Sequence, residues 1–192
     1  MIAGHFGFAA LVKSRERSTP LWMLMLASVW LDVVFVPLFL AGIETLQPMQ
    51  GRSGYGAAVI HADYTHSIVG MLALSLLLAL VCWSRWGSRS ATVVGLVAVS
   101  HWALDLIVHH ADMAVLPGNL GNLPRLGFGL WDYPMLAAAL EALLVLLGAG
   151  FYRRAAREVS IRANRRPQWA TAVSVLIATC GLFVLYLDVS SR

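Results

Sequence analysis

The sequence has few charged residues. Only 12% of its 192 residues are charged, whereas 59% are hydrophobic. A soluble domain carries about 25% charged residues, so this composition excludes an ordinary soluble protein and predicts a chain that crosses a membrane several times. The net charge of +4 comes without any nucleic-acid recognition motif, and we therefore expect no nucleic-acid partner.

Cysteine is almost absent as well. The chain has only Cys82 and Cys180, which lie far apart, within or at the end of apolar segments. Two isolated cysteines exclude both a disulfide framework and a zinc site built from a cysteine pair. We expect both side chains to pack as small apolar residues.

Long apolar runs dominate the sequence, and a helix needs about 20 apolar residues to span a bilayer. The polar–apolar alternation of a membrane barrel is missing. The sequence thus predicts an all-α fold, a polytopic membrane helix bundle of five transmembrane helices plus a short N-terminal helix. The short helix, 2–12, either lies at the interface or dips into the bundle with His5. The predicted spans are 21–43, 64–83, 91–108, 130–152 and 169–187.

Basic residues predict the orientation of this bundle. Lysine and arginine concentrate at 13–17, 85–89 and 153–166, and five spans place all three runs on one side. The positive-inside rule makes that side the cytoplasm of a bacterial-type inner (plasma) membrane. The N-terminal basic loop is then cytoplasmic and the C-terminus lies outside, with outer loops at 44–56 and 111–129.

The most informative segment is HWALDLIVHH at 101–110, inside an apolar run. Ionisable side chains at membrane depth are costly, so they mark a functional site. His101, Asp105 and His109 share one helix face, and donors four residues apart can bind one metal ion. Nitrogen and oxygen donors suit zinc first, and also iron or manganese. The alternative is a buried His101–Asp105 hydrogen bond that stabilises a helix pair.

Two ligands on one helix do not complete a metal site. His66, in HADYTHS at 61–67, is the leading further candidate. It reaches the depth of His101 only if its helix begins near Ala57. Asp32 lies alone in an apolar span at a similar depth, and it is either a ligand, a partner of a ligand or a buried acid in a salt bridge.

Other polar residues carry weaker signals. His5 is a ligand candidate or an ordinary interfacial histidine. His61 and Asp63 are ligands, groups that orient ligands, or solvated loop residues. His109 and His110 lie close to the outer interface, where we expect the mouth of a pocket.

Taken in order, these motifs resemble a known family. GH at 4–5, SVWLD ending at Asp32, HADYTHS at 61–67 and SHWALD at 100–105 are similar to the membrane-bound metal-dependent hydrolases, the YdjM-like inner-membrane group. Its hallmark is His-Arg-Gly-x-Thr-His-Ser, followed about one helix later by Ser-His-x-x-x-Asp. In this chain Ala62-Asp63 replaces Arg-Gly, and a single aspartate replaces Pro-Asp-x-Asp. That family is distantly similar to zinc-dependent phospholipase C and to P1-type nucleases.

The resemblance covers a hydrolase-like region at about 1–152 of one integral membrane domain, 1–192. A basic cytoplasmic loop at 153–167 and an additional C-terminal transmembrane helix at 168–188 follow. The resemblance implies a membrane-embedded, metal-dependent hydrolase that acts on an ester or phosphoester, including that of a lipid. Its pocket would open to the outer side of the membrane.

The expected chemistry is activation of water by a divalent metal ion. We expect a group that is not a ligand to transfer the proton, and Asp63 and His61 are the candidates. The expected metal ligands are His66, His101 and Asp105, with His5 or Asp32 completing the set.

Two other functions fit the same residues. A string of histidines and aspartates also serves as a relay in a metal or proton permease. That function requires a polar path to the cytoplasmic side, where the spans are almost purely apolar. Histidine pairs also serve as axial ligands in small haem-binding proteins.

Overall fold

Six helices carry almost all of the regular structure. The computed structural model describes residues 1–52 and 54–190. The predicted all-α class is confirmed in its coarse form, with one small β-hairpin in addition. The helices are α1 (Ile2–Arg15), α2 (Leu21–Ser28), α3 (Trp30–Leu40), α4 (Ile68–Val108), α5 (Pro134–Arg162) and α6 (Gln168–Ser190), and two short 3-10 turns, Pro117–Asn122 and Leu130–Asp132, precede α5.

Within the described residues, three helices are long and apolar enough to cross a membrane: α4, α5 and α6. The bent pair of α2 and α3 makes a fourth if it is counted as one span. This count is lower than the five predicted spans. The difference arises at α4, because the predicted spans 64–83 and 91–108 form one helical element of 41 residues.

Helix α4 reverses its direction at Gly87. This residue has φ 77° and ψ 175°, a conformation that glycine tolerates because it has no Cβ. The Nε2 atoms of His66 and His101 lie 3.2 Å apart although 35 positions separate them, whereas a straight helix would place them about 50 Å apart. Further along the arms, a Cβ on Gly95 would lie 3.2 Å from that of Ala79. α4 is therefore a helical hairpin, and its return arm carries His101 back to the level of His66.

Helices α2 and α3 meet at a bend of 50°. The break lies at Val29, whose φ of −124° and ψ of 18° are not helical. Pro37 lies within α3 and has no N–H to continue the helical hydrogen-bond ladder. The bend directs the carbonyl oxygen of Ser28 out of the helix, where a side chain can bind it.

The N-terminal helix α1 packs against α5 with the two backbones in contact. A Cβ on Gly148 would lie 1.9 Å from the carbonyl oxygen of Gly7, and one on Gly7 would lie 2.5 Å from that of Leu144. Glycine at such crossings lets membrane helices approach closely. His5 on α1 is only 1% exposed, so α1 packs against the other helices with this side chain buried.

A β-hairpin fills the predicted outer loop that follows α3. Strands β1 (Thr45–Pro48) and β2 (Ala58–His61) pair antiparallel. The expectation that a helix begins near Ala57 is wrong, because the β-branched pair Val59-Ile60 favours a strand. The first arm of α4 begins at Ile68, after Ser67 accepts a hydrogen bond from the Gly70 amide at 3.0 Å.

The three basic runs lie together at one end of the molecule. Arg89 Nε lies 3.0 Å from Oε2 of Glu16, and Lys13 lines one cleft with Tyr152. An apolar cluster separates this basic end from the histidines. It consists of buried residues from α1, α2 and both arms of α4, namely Ala9, Met23, Leu24, Ala27, Leu78, Cys82, Val94, Val97 and Ala98.

Candidate metal centre

Five ionisable side chains from distant parts of the chain converge at one point, and we call them the five-donor cluster. Its members are the five predicted ligands, His5, Asp32, His66, His101 and Asp105, which form two overlapping groups of three. His101 Nε2 lies 3.0 Å from Oδ2 of Asp105 and 3.6 Å from Oδ1 of Asp32. His66 Nε2 lies 3.6 Å from the same Asp32 oxygen, and His5 Nε2 lies 3.0 Å from Oδ1 of Asp105. The structure thus brings together the whole predicted ligand set.

These separations suit the coordination of one metal ion. At metal–ligand distances of 2.0–2.2 Å, neighbouring donors of a tetrahedral or octahedral ion lie about 3.0–3.5 Å apart. Six donor pairs of the cluster lie 3.0 to 3.8 Å apart, and the three donors of each group lie within 4.8 Å of one another. Both groups of three include His101. Only one nitrogen of its imidazole ring can be directed at the cluster, and that nitrogen binds one metal ion. The two groups could therefore hold one ion between them.

The bend after α2 orients His101. Its Nδ1 lies 2.8 Å from the carbonyl oxygen of Ser28. A carbonyl oxygen only accepts hydrogen bonds, so Nδ1 carries a proton and Nε2 is the nitrogen that faces the cluster. Fixing one imidazole nitrogen through a backbone oxygen is the arrangement that metal-ligating histidines use.

His66 is oriented through Thr65 by a carboxylate that sequence reasoning missed. Glu44, fully buried, accepts hydrogen bonds from the amides of Tyr64 and Thr65 at 2.9 and 2.8 Å. The Thr65 hydroxyl donates to Glu44 at 2.9 Å and lies 2.8 Å from Nδ1 of His66. Since the hydroxyl has one proton, its oxygen accepts the Nδ1–H of His66. His66 therefore also directs the lone pair of Nε2 into the cluster.

The two Nε2 atoms of His66 and His101 lie 3.2 Å apart. Both present lone pairs when the rings are neutral, and lone pairs at this distance repel each other unless a cation or a proton lies between them. With Asp32 and Asp105 adjoining, the donor set is three imidazoles and two carboxylates. This composition fits a divalent metal ion such as zinc, iron or manganese.

His5 reaches the cluster because Glu141 holds the start of α1. The Gly4 amide donates to Oε1 of Glu141 at 2.9 Å, and the Tyr55 hydroxyl donates to Oε2 at 2.6 Å. Burial and the neighbouring carboxylate raise the pKa of Tyr55 well above its usual value. The His5 ring stacks on that of His101 with centroids 4.0 Å apart. Its Nδ1 is buried and has no hydrogen-bond partner within the described part of the chain.

His109 lies beside the five donors. Its Nδ1 is 2.9 Å from Oδ1 of Asp112, whose Oδ2 accepts the Ile60 amide at 2.9 Å. Its Nε2 faces Oδ2 of Asp105 at 3.9 Å, too far for a hydrogen bond. Trp131 packs against the ring with centroids 4.3 Å apart. His109 is thus an oriented, buried imidazole at the edge of the cluster.

Asp63 and His61, the predicted proton-transfer residues, lie apart from the cluster. Arg125 binds both carboxylate oxygens of Asp63 at 2.5 and 2.8 Å, and this contact raises the pKa of Arg125. Among the described residues, no hydrogen bond or ion pair joins Asp63 or His61 to the five donors. His61 lies in β2, where its Nε2 is buried and has no described partner.

One side chain of the five-donor cluster is partly exposed. The Asp32 side chain is 35% exposed, whereas the side chains of the other four are 5% exposed or less. Around Asp32, α3 exposes apolar side chains, including Val33 and Val36. The opening of the site therefore lies on an apolar face of the molecule.

No protein-family model matches the chain, and neither a curated protein nor a solved structure shows significant similarity to it. The resemblance to metal-dependent hydrolases therefore stays a prediction that rests on the motifs at 4–5, 28–32, 61–67 and 100–105.

Proposed function

We propose that this protein is a membrane-embedded, metal-dependent hydrolase that cleaves an ester or phosphoester bond of a lipid. One observation carries the proposal. The Nε2 atoms of His66 and His101 lie 3.2 Å apart with the carboxylates of Asp32 and Asp105 beside them, and the Nδ1 atoms of both rings are bound by oxygens. Such an arrangement is costly to bury unless a metal ion or a proton lies between the two nitrogens, and the two carboxylates beside them offer a metal ion further ligands.

A divalent ion, when bound, supplies Lewis acidity that activates water and polarises the bond to be cleaved. The side chains of the chain hold that ion and fix its surroundings. His66, His101 and Asp105 form the buried base of the site, and His5 closes one side. Asp32 faces the opening, where a substrate arrives.

His109 is the group best placed to accept a proton from water. Asp112 fixes its Nδ1, so its Nε2 points toward Asp105 across 3.9 Å, and a general base needs a defined orientation and one free nitrogen. Asp63, by contrast, is bound by Arg125 through both oxygens. We therefore assign the proton transfer to His109 rather than to Asp63 or His61.

The surroundings of Asp32 favour a lipid substrate. The partly exposed carboxylate lies on α3 among outward-facing apolar residues, of which Val36 is 52% and Leu40 is 78% exposed. A lipid can approach this face from within the bilayer, with its head group at the cluster. The apolar cluster beyond the site offers no polar path toward the basic end within the described residues, which argues against a permease.

We also propose that the chain crosses the bilayer five times. The two arms of α4 would each form one span, and the bent pair of α2 and α3 another. The arrangement of the basic runs supports this topology, because they lie at the end opposite the five donors. The positive-inside rule then makes the basic end cytoplasmic, in a bacterial-type inner membrane.

Metal analysis tests the first half of the proposal. Purified protein should contain about one equivalent of zinc, iron or manganese, and His101→Ala or Asp105→Ala should abolish the binding. Asp132→Ala is the matched control, because this exposed aspartate pairs with Arg52 outside the cluster. A protein that stays free of metal after incubation with all three ions would refute the site.

A measurement of catalytic turnover tests the second half of the proposal, the hydrolysis of a lipid. The metal-loaded protein in phospholipid vesicles should release a phosphate-containing or fatty-acid product. We expect His109→Gln to retain its metal and to lose about 100-fold or more in turnover, the range of general acid–base catalysis. Unchanged turnover in this variant would exclude His109 as the base. Metal binding without any hydrolysis of phospholipids would refute the lipid hydrolase.

A further inference from the structure

A cleft at the basic end lies between α1 and the last third of α5. Its volume is about 260 Å³. Lys13, Ser14 and Arg17 form one wall, and α5 residues between Tyr152 and Ser160 form the other. The cleft thus combines a cationic wall with a wall of small and apolar side chains.

Positive charge dominates around this cleft, although Glu16 lies close enough to Lys13 to interact with it electrostatically. A second cleft, which shares Ser14 and Ala155 with the first, adds Arg15 and Arg154. Arg154 pairs with Glu158 at 3.4 Å. Among the described residues, Arg15 and Arg17 form no ion pair.

Lys13 is held in place on the cationic wall. Its Nζ donates to the carbonyl oxygens of Thr19 at 2.7 Å and of Arg17 at 3.2 Å. An ammonium group has three N–H donors, so one remains for a ligand. Lys13 is a pre-positioned cation, unlike the mobile lysines of an open surface.

The position of the cleft along α5 indicates which class of ligand it binds. The apolar part of the helix ends near Tyr152, a residue type that concentrates at membrane interfaces. Just before Tyr152, Leu147 and Phe151 expose apolar surface, along which acyl chains can lie. Basic pockets between membrane helices at this depth suit anionic head groups.

We propose that this cleft binds the head-group phosphate of an anionic phospholipid. The phosphate contacts Lys13 and Arg17, and the acyl chains extend along α5 toward Leu147. This site lies at the opposite end of the molecule from the five donors, and it does not depend on the hydrolytic function. The lipid would hold α1 against α5 at the end remote from Glu141.

Reconstitution of the full chain tests this site. The probes are vesicles of phosphatidylcholine alone, the same vesicles with added phosphatidylglycerol, and inorganic phosphate. Native mass spectrometry measures retained lipid, and thermal unfolding measures stabilisation. We expect phosphatidylglycerol to be retained and to raise the unfolding temperature, and Lys13→Gln with Arg17→Gln to weaken its binding about 30-fold.

The matched control removes the same charge elsewhere. Arg165→Gln with Arg166→Gln lies in the connection to α6, and it should keep the affinity for phosphatidylglycerol. If loss of Lys13 impairs folding, Arg17→Gln alone removes the cleft charge that has no ion-pair partner among the described residues, and it should weaken binding about 5-fold. Equal losses in cleft and control variants would overturn the site, as would equal stabilisation by inorganic phosphate.

Discussion

The hydroxyl of Thr65 lies 2.8 Å from Nδ1 of His66, and it transmits the orientation set by the buried carboxylate of Glu44. This contact decides which nitrogen of His66 faces the cluster. Orienting partners of this kind typically contribute a factor of 10–100 in metal affinity.

Thr65→Val should therefore weaken metal binding about 10–100-fold, because valine has the same shape but leaves Nδ1–H of His66 without an acceptor. A competition titration with a chelator measures the change. Thr65→Ser keeps the hydroxyl and should bind metal within a few-fold of the wild type. If valine and serine bind equally well, His66 is not oriented by this contact.

A second prediction concerns the anchoring of α1 by Glu141. Glu141→Ala leaves the Gly4 amide and the Tyr55 hydroxyl without their acceptor, so we expect a loss of about 2–4 kcal/mol in the free energy of unfolding together with weaker metal binding through His5. Thermal and denaturant unfolding in detergent micelles measure the first effect, and metal titration measures the second.

Glu158→Ala on the same helix is the control for that experiment. Its side chain is exposed and pairs only with the exposed Arg154 among the described residues, so the change should stay within about 0.5 kcal/mol. If Glu141→Ala were as stable and bound metal as tightly as this control, α1 would not depend on the contact.

A third prediction compares two glycines on α5. Gly148→Ala would place a Cβ 1.9 Å from the Gly7 carbonyl oxygen, whereas a Cβ on Gly150 meets nothing within 4 Å. We expect Gly148→Ala to cost about 1–3 kcal/mol by forcing α1 away from α5. Gly150→Ala should be neutral or stabilising by about 0.5–1 kcal/mol. Equal unfolding temperatures for the two variants would contradict the close crossing.

A fourth prediction concerns acid stability at the basic end. Burial raises the pKa of Glu16, but hydrogen bonds from Ser18 and the ion pair with Arg89 outweigh it and lower the pKa to about 2. A lowered pKa in the folded state contributes stability at pH values above the ordinary value near 4.5, and this contribution is lost as the pH falls toward 2.

The free energy of unfolding should therefore fall between pH 4.5 and 2 in the wild type, and less steeply in Glu16→Gln. Unfolding curves recorded across this interval in detergent provide the measurement. Parallel pH profiles for the two proteins would show that Glu16 is not stabilised by its partners.

The core of the candidate site was accessible from the sequence. The i, i+4 spacing of His101 and Asp105 indicated a shared ligand face, and the motifs around His5, Asp32 and His66 supplied the rest. These signals are local, since each depends on a few neighbouring residues in an apolar run.

Other parts depend on contacts that no local pattern encodes. Glu44 reaches Thr65 only because the β-hairpin folds back, and the strands of that hairpin are four residues long and contain Pro48. The acceptor for His101 is a backbone carbonyl, which any residue type could supply. The two spans predicted near α4 form one helical element, because the backbone of Gly87 closes the turn between them without a separate loop.

The contact between α1 and α5 has a consequence for biogenesis. Gly4 and Glu141 are 137 positions apart, so the helix that carries His5 is synthesised well before its packing partner α5. Until then α1 lacks the surface that holds it in the bundle, and the five-donor cluster lacks one of its imidazoles. The complete five-donor cluster therefore forms only after α5 has been synthesised, and the proposed metal ion would be bound by all five donors only after that step.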